Sequence, residues 1–171
     1  RGRFVLICLQ REGDSQLTRH SELKSNRAFL ERVLDDFAAQ ASGDLRLVVK
    51  NHPLESGMVD QRALVTGLAS ARGLADRIDF LESGVLADLC RRSEGMVVNN
   101  STAALAALGF GTPVKVLGRA FFDLAGLTHQ GPLATFWQAP TPPDAALFQR
   151  FRARVIAETQ VNGSFEGPKL I

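Results

Sequence analysis

The 171 residues include no tyrosine, one tryptophan, two methionines and two cysteines. Cys8 and Cys90 sit in apolar segments without metal-ligand spacing, which excludes a disulfide framework and predicts reduced core residues of a cytoplasmic protein. Long apolar runs are missing too. The longest weakly polar stretch, residues 103–117, is broken by Gly109, Gly111 and Pro113, so no bilayer span is expected, and no signal-peptide pattern is present. Charge of one sign is not blocked together: the formal net charge is +2 and the sequence pI about 8.8. A basic excess this small and this dispersed argues against nucleic acid as a partner. The densest cluster, Arg150, Arg152 and Arg154, falls in a late helix and reads as a solvated face, with contact to a membrane surface as the alternative. Two nucleotide fingerprints are absent: no Gly-x-Gly-x-x-Gly follows the first strand, and no Gly-Lys-Ser or Gly-Lys-Thr marks a P-loop. The three histidines share no close spacing, so no metal site is predicted.

With 45% apolar and 22% charged residues, the chain has the composition of one globular domain over residues 1–171. It starts at Arg1 instead of Met and enters a strand almost at once, from which we expect a piece of a longer protein. The apolar run Phe4 to Leu9 suits a strand buried on both faces. From about Lys24, Leu30, Val33, Leu34, Phe37, Ala38 and Ala41 recur at helical spacing up to Gly43. Leu45 to Val49 is a second strand, residues 59–74 a less regular helix, Arg77 to Leu81 a third strand and Gly84 to Arg92 a short helix. Gly95 to Val98 is a fourth strand, Ser101 to Gly109 an Ala-rich helix and Pro113 to Leu117 a fifth strand. A long loop over 118–142, a helix over 143–160 and an irregular tail over 161–171 complete the chain. Such alternation predicts an α/β fold: a Rossmann-like parallel sheet with helices on both faces. Ligands bind outside the carboxyl ends of such strands, where nearly all the suggestive polar residues of this chain fall.

Asn99, Asn100, Ser101 and Thr102 close strand four and open the next helix. Hydroxyls and first-turn N–H groups at a helix start suit a phosphate, although Ser and Thr there also serve as plain caps. Lys50-Asn51-His52-Pro53 follows strand two; Pro53 fixes the backbone, His52 is suited to donate to a leaving phosphate oxygen and Lys50 to neutralise it. A surface lysine beside a turn-capping histidine is the bland alternative. Residues 10–16, Gln10-Arg11-Glu12-Gly13-Asp14-Ser15-Gln16, follow strand one with His20 close behind. Their carboxylates suit a base or nucleophile and their amides suit hydroxyl recognition, or else they form an ordinary polar turn. Glu82-Ser83-Gly84 after strand three meets a ribose or base, or Ser83 merely caps a helix. The 118–131 segment, with Arg119, Asp123, Thr128 and His129, is expected to cover a site or meet an adjacent domain, and Phe121, Phe122 and Trp137 to pack.

In this order Leu9-Gln10, Gly13-Asp14-Ser15-Gln16, Lys50-x-His52-Pro53, Asn100-Ser101-Thr102, Gly111-x-Pro113-Val114 and residues 118–128 resemble the capsule polysaccharide biosynthesis and export family, whose members include bacterial Kdo transferases. The His-Pro pair and Ser-Thr start are similar, more loosely, to GT-B sialyltransferases that use CMP-activated sugars. The resemblance implies the C-terminal, nucleotide-binding half of a GT-B glycosyltransferase that transfers Kdo from CMP-Kdo to a lipid or glycan acceptor, with no cofactor and no metal. It implies catalytic roles for Asp14 and His52, and donor contacts by Gln10, Gln16, Lys50, Pro53, Glu82, Asn100, Ser101 and Thr102. Implied partners are the donor, the acceptor, an upstream domain of the same chain and other capsule-assembly proteins, with a cytoplasmic location peripheral to the inner membrane. The family's usual tyrosine next to Asp123 is Phe122 here. The alternatives are another nucleotide-sugar enzyme on a GT-B frame, sialyltransferase-like or epimerase-like, and a noncatalytic capsule-assembly subunit.

Overall fold

The structure, a computed structural model, describes residues 3–13, 21–55, 57 and 59–159. Five strands, β1 (Phe4–Cys8), β2 (Arg46–Lys50), β3 (Ile78–Leu81), β4 (Gly95–Val98) and β5 (Val114–Val116), form one parallel sheet in the order β3-β2-β1-β4-β5. Six α-helices occur among the described residues: α1 (Asn26–Gln40), α2 (Gln61–Ser70), α3 (Leu86–Arg92), α4 (Ala104–Gly109), α5 (Leu133–Gln138) and α6 (Ala145–Thr159). The doubly covered Rossmann-like sheet is therefore as the alternating pattern predicts.

Alternation along the central strand splits the core in two. Val5, Ile7 and Leu9, with Leu47, Val49 and Val97, pack beneath α1, α2 and α5 through Phe29, Val33, Phe37, Val65 and Phe136. Leu6 and Cys8, with Met96, Val98, Val114 and Val116, pack beneath α3, α4 and α6 through Cys90, Ala104, Ala107 and Phe148. Burial pushes the Cys8 thiol up to about 12, with Cys90 adding to the shift and Lys50 opposing it. Cys90 rises to about 11, again through burial first. Both are free thiols held in their unreactive form, consistent with the core role read from the sequence.

The 118–142 connection is not loop throughout. Pro132 precedes α5, whose Phe136 and Trp137 are buried against α1: Trp137 donates its indole N–H to Asp36 Oδ1 at 2.7 Å and meets Phe37 edge-on at 5.3 Å. A six-residue helix rich in aromatics has too few turns to show helical spacing. Phe122 is fully buried as expected, whereas Phe121 is 57% exposed and stacks on Phe151. Helix α6 carries exposed Arg150, Arg152 and Arg154, as the solvated-face reading has it, and Arg154 pairs with Glu158. The tail expected over 161–171 lies outside the described residues.

His129, in the segment expected to cover a site or meet an adjacent domain, is a buried staple within the fold. Its Nδ1 accepts from the Thr141 amide at 3.3 Å and lies 3.0 Å from the Thr141 hydroxyl. Its Nε2 faces Thr135 Oγ1 at 2.9 Å, and that hydroxyl donates to the Pro132 carbonyl. This set fixes a neutral ring with its proton on Nε2. The His129 amide donates to Val114 O at 2.8 Å, and Lys115 Nζ donates to the carbonyls of His129 and Gly131, so the 128–131 segment seals the outer edge of β5. At the other margin, the Arg46–Asp79 ion pair at 2.9 Å ties edge strand β3 to its neighbour β2.

This packing can be tested at two positions. At Gly95 an added Cβ would lie 2.6 Å from Phe136 Cζ, on a ring that is fully buried, so Gly95→Ala is expected to cost about 1–3 kcal/mol, read from the urea unfolding midpoint. Burial first, then the Lys115 charge, lowers the His129 pKa below its ordinary 6.5. The unfolded chain then binds the extra proton first, so this contribution to stability is complete above about pH 6.5 and falls as the pH drops through the folded value. Thermal unfolding between pH 8 and 5 should show that loss, and His129→Gln should flatten it from a lower starting stability.

Candidate functional site

Register brings the turns after β1, β2 and β4 to one rim. Cys8 is level with Lys50, and Ile7 is level with both Val49 and Val97. Strands β2 and β4 flank β1, so the two turns that carry His52 and Ser101 leave the sheet about 10 Å apart, at two strand spacings. Side-chain parity then puts Lys50 on the same sheet face as Cys8 and Val98, the face that α4 covers.

Lys50 is only 7% exposed, and among the described residues its ammonium makes one hydrogen bond, from Nζ to the carbonyl of Asn51 at 3.2 Å. No carboxylate pairs with it among the described residues. A buried ammonium in that state is costly unless an anion joins it. Next along the chain, the Asn51 side chain accepts from the His52 amide at 2.9 Å and donates to Glu82 Oε2 at 2.9 Å. Leu54 N–H donates to His52 Nδ1 at 3.1 Å, so a neutral His52 carries its proton on Nε2, as a donor to a ligand requires. Glu55 N–H closes the turn on the His52 carbonyl at 3.1 Å, with Pro53 exposed inside it.

Glu82 is exposed, and its two oxygens face Asn51 and Arg62, the latter at 3.5 Å. It ties the turn after β3 to the turn that bears His52, a tie not evident in the sequence. Ser83 does not cap α3, because Val85 occupies that position without a side-chain bond.

The turn after β4 differs from the expected helix start. Helix α4 begins at Ala104 and has six residues. The amides of Ala104, Leu105 and Ala106 bond to carbonyls three residues back, and that of Ala103 bonds to Ser101 Oγ at 3.3 Å. The first-turn N–H groups predicted for an anion are thus engaged; the amides of Ser101 and Thr102 and the exposed Thr102 hydroxyl have no partner among the described residues. Asn99 is structural as well. Its side chain accepts from Ser21 Oγ at 2.6 Å and donates to the Leu23 carbonyl at 2.8 Å. A Cβ at Gly118 would come within 2.5 Å of that same Asn99 oxygen, which explains the glycine. Asn100 is 5% exposed and donates its amide to Gln10 Oε1 at 3.4 Å. Gln10, Lys50, His52, Asn100, Ser101 and Thr102 are therefore brought to one rim, with Glu82 behind the His52 turn. Asp14, Gln16 and His20 lie outside the described residues.

Sequence reasoning missed Asn26, the first residue of α1, which is 1% exposed and hydrogen-bonded to Gln10 and Glu12. An asparagine at the first position of a helix looks ordinary in a sequence, and only the contact shows its partner. No group of three or more His, Cys, Asp or Glu residues that could hold a metal occurs among the described residues, and no described helix is long and apolar enough to cross a membrane.

Residues 1–166 match the family model described as capsule polysaccharide biosynthesis protein. The chain is 39% identical over 165 residues to the capsule polysaccharide modification protein LipB of Neisseria meningitidis serogroup A, covering 96% of this chain and 39% of that protein. It is 37% identical over 163 residues to the capsule polysaccharide export protein KpsS of Escherichia coli, covering 95% of this chain and 42% of that protein. The chain thus spans about two-fifths of the length of these relatives. Among solved structures, the beta Kdo 2,4 transferase of Thermosulfurimonas dismutans KpsC superposes with a TM-score of 0.56 at 17% identity, covering 86% of this chain and 42% of that one. The beta Kdo 2,7 transferase of the same KpsC gives 0.54 at 23% identity, covering 74% and 37%. At such identities the structural likeness speaks for the fold, and the sequence matches speak for descent. On both the family model and these relatives, the chain belongs to the capsule polysaccharide biosynthesis protein family.

Proposed function

We propose that this chain is the donor-nucleotide half of a capsule glycosyltransferase that transfers Kdo from CMP-Kdo to a lipid or glycan acceptor. The observation that carries the reading is Lys50: a buried ammonium at the end of β2, bonded to one carbonyl and to no carboxylate among the described residues, on the same rim as the β4 turn that presents Ser101 and Thr102. A phosphate seated there meets Lys50 from one side, and from the other the Thr102 hydroxyl and the amides of residues 101 and 102, which have no partner among the described residues. Charge-assisted hydrogen bonds of this kind are about twice as strong as neutral ones. Family membership and the described Kdo transferase activity of two structural neighbours support the choice of sugar.

In the proposed transfer, the bond between the anomeric carbon and the phosphate oxygen breaks and its electron pair leaves with CMP. The acceptor hydroxyl oxygen forms the new glycosidic bond. Its proton passes to a carboxylate, for which Asp14 is the candidate, while Gln10 and Gln16 bind the donor. His52 Nε2–H donates to the departing phosphate oxygen and Lys50 offsets the charge that builds there. Donors placed in advance where charge develops are worth about two to three orders of magnitude in rate each. A nucleoside monophosphate carries less charge than a diphosphate, which suits a site built from one lysine, one imidazole and backbone amides without a metal or other cofactor. The proposal includes an upstream domain that completes the cleft, other capsule-assembly proteins as partners, and a cytoplasmic location peripheral to the inner membrane.

Calorimetric titration of CMP into the chain tests the reading directly. Binding is expected for the wild-type protein and a loss of at least tenfold in affinity for Lys50→Met. Because that substitution removes a buried charge that has no carboxylate partner among the described residues, its unfolding free energy should stay level or rise by about 1–2 kcal/mol. No heat with CMP, CMP-sugars or UDP-sugars would favour a noncatalytic capsule-assembly role, and heat with UDP-sugars alone another GT-B enzyme. In the two-domain protein, His52→Ala should lower turnover about a hundredfold or more, and unchanged turnover would remove His52 from the mechanism.

A further inference from the structure

We infer that Asn26 is the positioning residue of the candidate site: it grips the backbone of Gln10 and so fixes the glutamine amide between the β4 turn and the ligand. This rests on the donor-binding reading above. Ser25 caps α1, accepting from Ala28 N–H at 3.1 Å, so Asn26 has no capping duty. Its side chain turns instead to the end of β1. Oδ1 accepts from Gln10 N–H at 3.2 Å, and Nδ2 donates to Gln10 O at 2.7 Å and Glu12 Oε2 at 2.8 Å. Strand β1 ends at Cys8, so this amide supplies at Gln10 the donor and acceptor that a neighbouring strand would otherwise provide. A carboxylate of the same shape has no donor for the carbonyl, and an apolar side chain offers neither bond.

The grip carries further. Gln10 Oε1 accepts from Asn100 N–H at 3.4 Å, which settles the orientation of the glutamine amide. Its Nε2 has no partner among the described residues, although the residue is only 6% exposed. Its two N–H groups, unpartnered among the described residues, suit a ligand oxygen, such as a phosphate or carboxylate oxygen of the donor. Glu12 N–H donates to Glu55 Oε2 at 3.1 Å, which links the turn after β2 to the same assembly. Through Gln10 and Glu12, one buried asparagine thus joins the turns after β1, β2 and β4.

The experiment uses Asn26→Asp, which keeps the acceptor for Gln10 N–H but loses both donors and faces Glu12 with a like charge. Asn26→Ser introduces no charge and replaces it if the aspartate variant does not fold. Native-state hydrogen exchange followed by NMR reads the Asn100 amide, and calorimetry reads CMP affinity, both well below the unfolding midpoint. We expect exchange at Asn100 to accelerate at least tenfold and CMP to bind at least tenfold more weakly. Adding Glu12→Gln to Asn26→Asp should recover part of both, because the amide introduced at position 12 can donate to the carboxylate introduced at position 26. In the two-domain protein the donor KM should rise more than kcat falls, whereas loss of folded enzyme alone would lower kcat at constant KM. Wild-type exchange at Asn100 in a folded variant overturns the inference whatever CMP does, and so does wild-type CMP affinity. If the unmodified protein binds no CMP, the donor-site reading falls and the exchange result alone decides the role of Asn26.

Discussion

Parallel pairing of β1 with both β2 and β4 is the constraint on which the rest of the molecule depends. It makes Cys8 level with Lys50 and Ile7 level with Val97, and so determines that three turns emerge side by side. A parallel sheet with crossovers of one hand leaves the carboxyl ends of its strands uncovered, while its helices bury both faces. Hydrophobic packing holds the faces, but the backbone ladder decides which polar residues meet. The candidate site is in this sense a product of register.

At that rim the polar residues divide into those that hold the chain and those left over. Asn26, Asn51, Asn99 and Glu82 bind backbone or other side chains of neighbouring turns. Lys50, the Gln10 Nε2 group and the Thr102 hydroxyl remain without a full complement of partners among the described residues. Buried polar groups are nearly always satisfied within a folded protein, so buried Lys50 and Gln10 mark where an external group is wanted, with the exposed Thr102 hydroxyl beside them. Amides do the holding because each presents a donor and an acceptor at once and carries no charge to desolvate.

Much of this was legible in the sequence, for identifiable reasons. Phe4 to Leu9 and Gly95 to Val98 read as strands because both faces are buried and no polar residue interrupts them. Helix α1 was plain because Leu30, Val33, Leu34, Phe37, Ala38 and Ala41 recur at helical spacing over about three turns. Ser101 misled, since the same residue favoured at a helix start here closes a turn ahead of a helix that begins at Ala104. Helix α5 was hidden by its brevity, and His129 by lying in a segment of glycine and polar residues whose partners, Thr135 and Thr141, arrive only through the fold. The polar cluster after each strand could be read, but the division of labour within it, Asn99 and Glu82 as ties, depends on contacts across strands that no local pattern encodes.

The sealing of β5 by the 128–131 segment has a directional consequence. One margin of the sheet is already occupied by its own chain, through His129 N–H on Val114 O and Lys115 on two carbonyls. A strand added beside β5, whether from a neighbouring copy or from a misfolded segment, would first have to displace these bonds, so this margin resists lateral growth of the sheet.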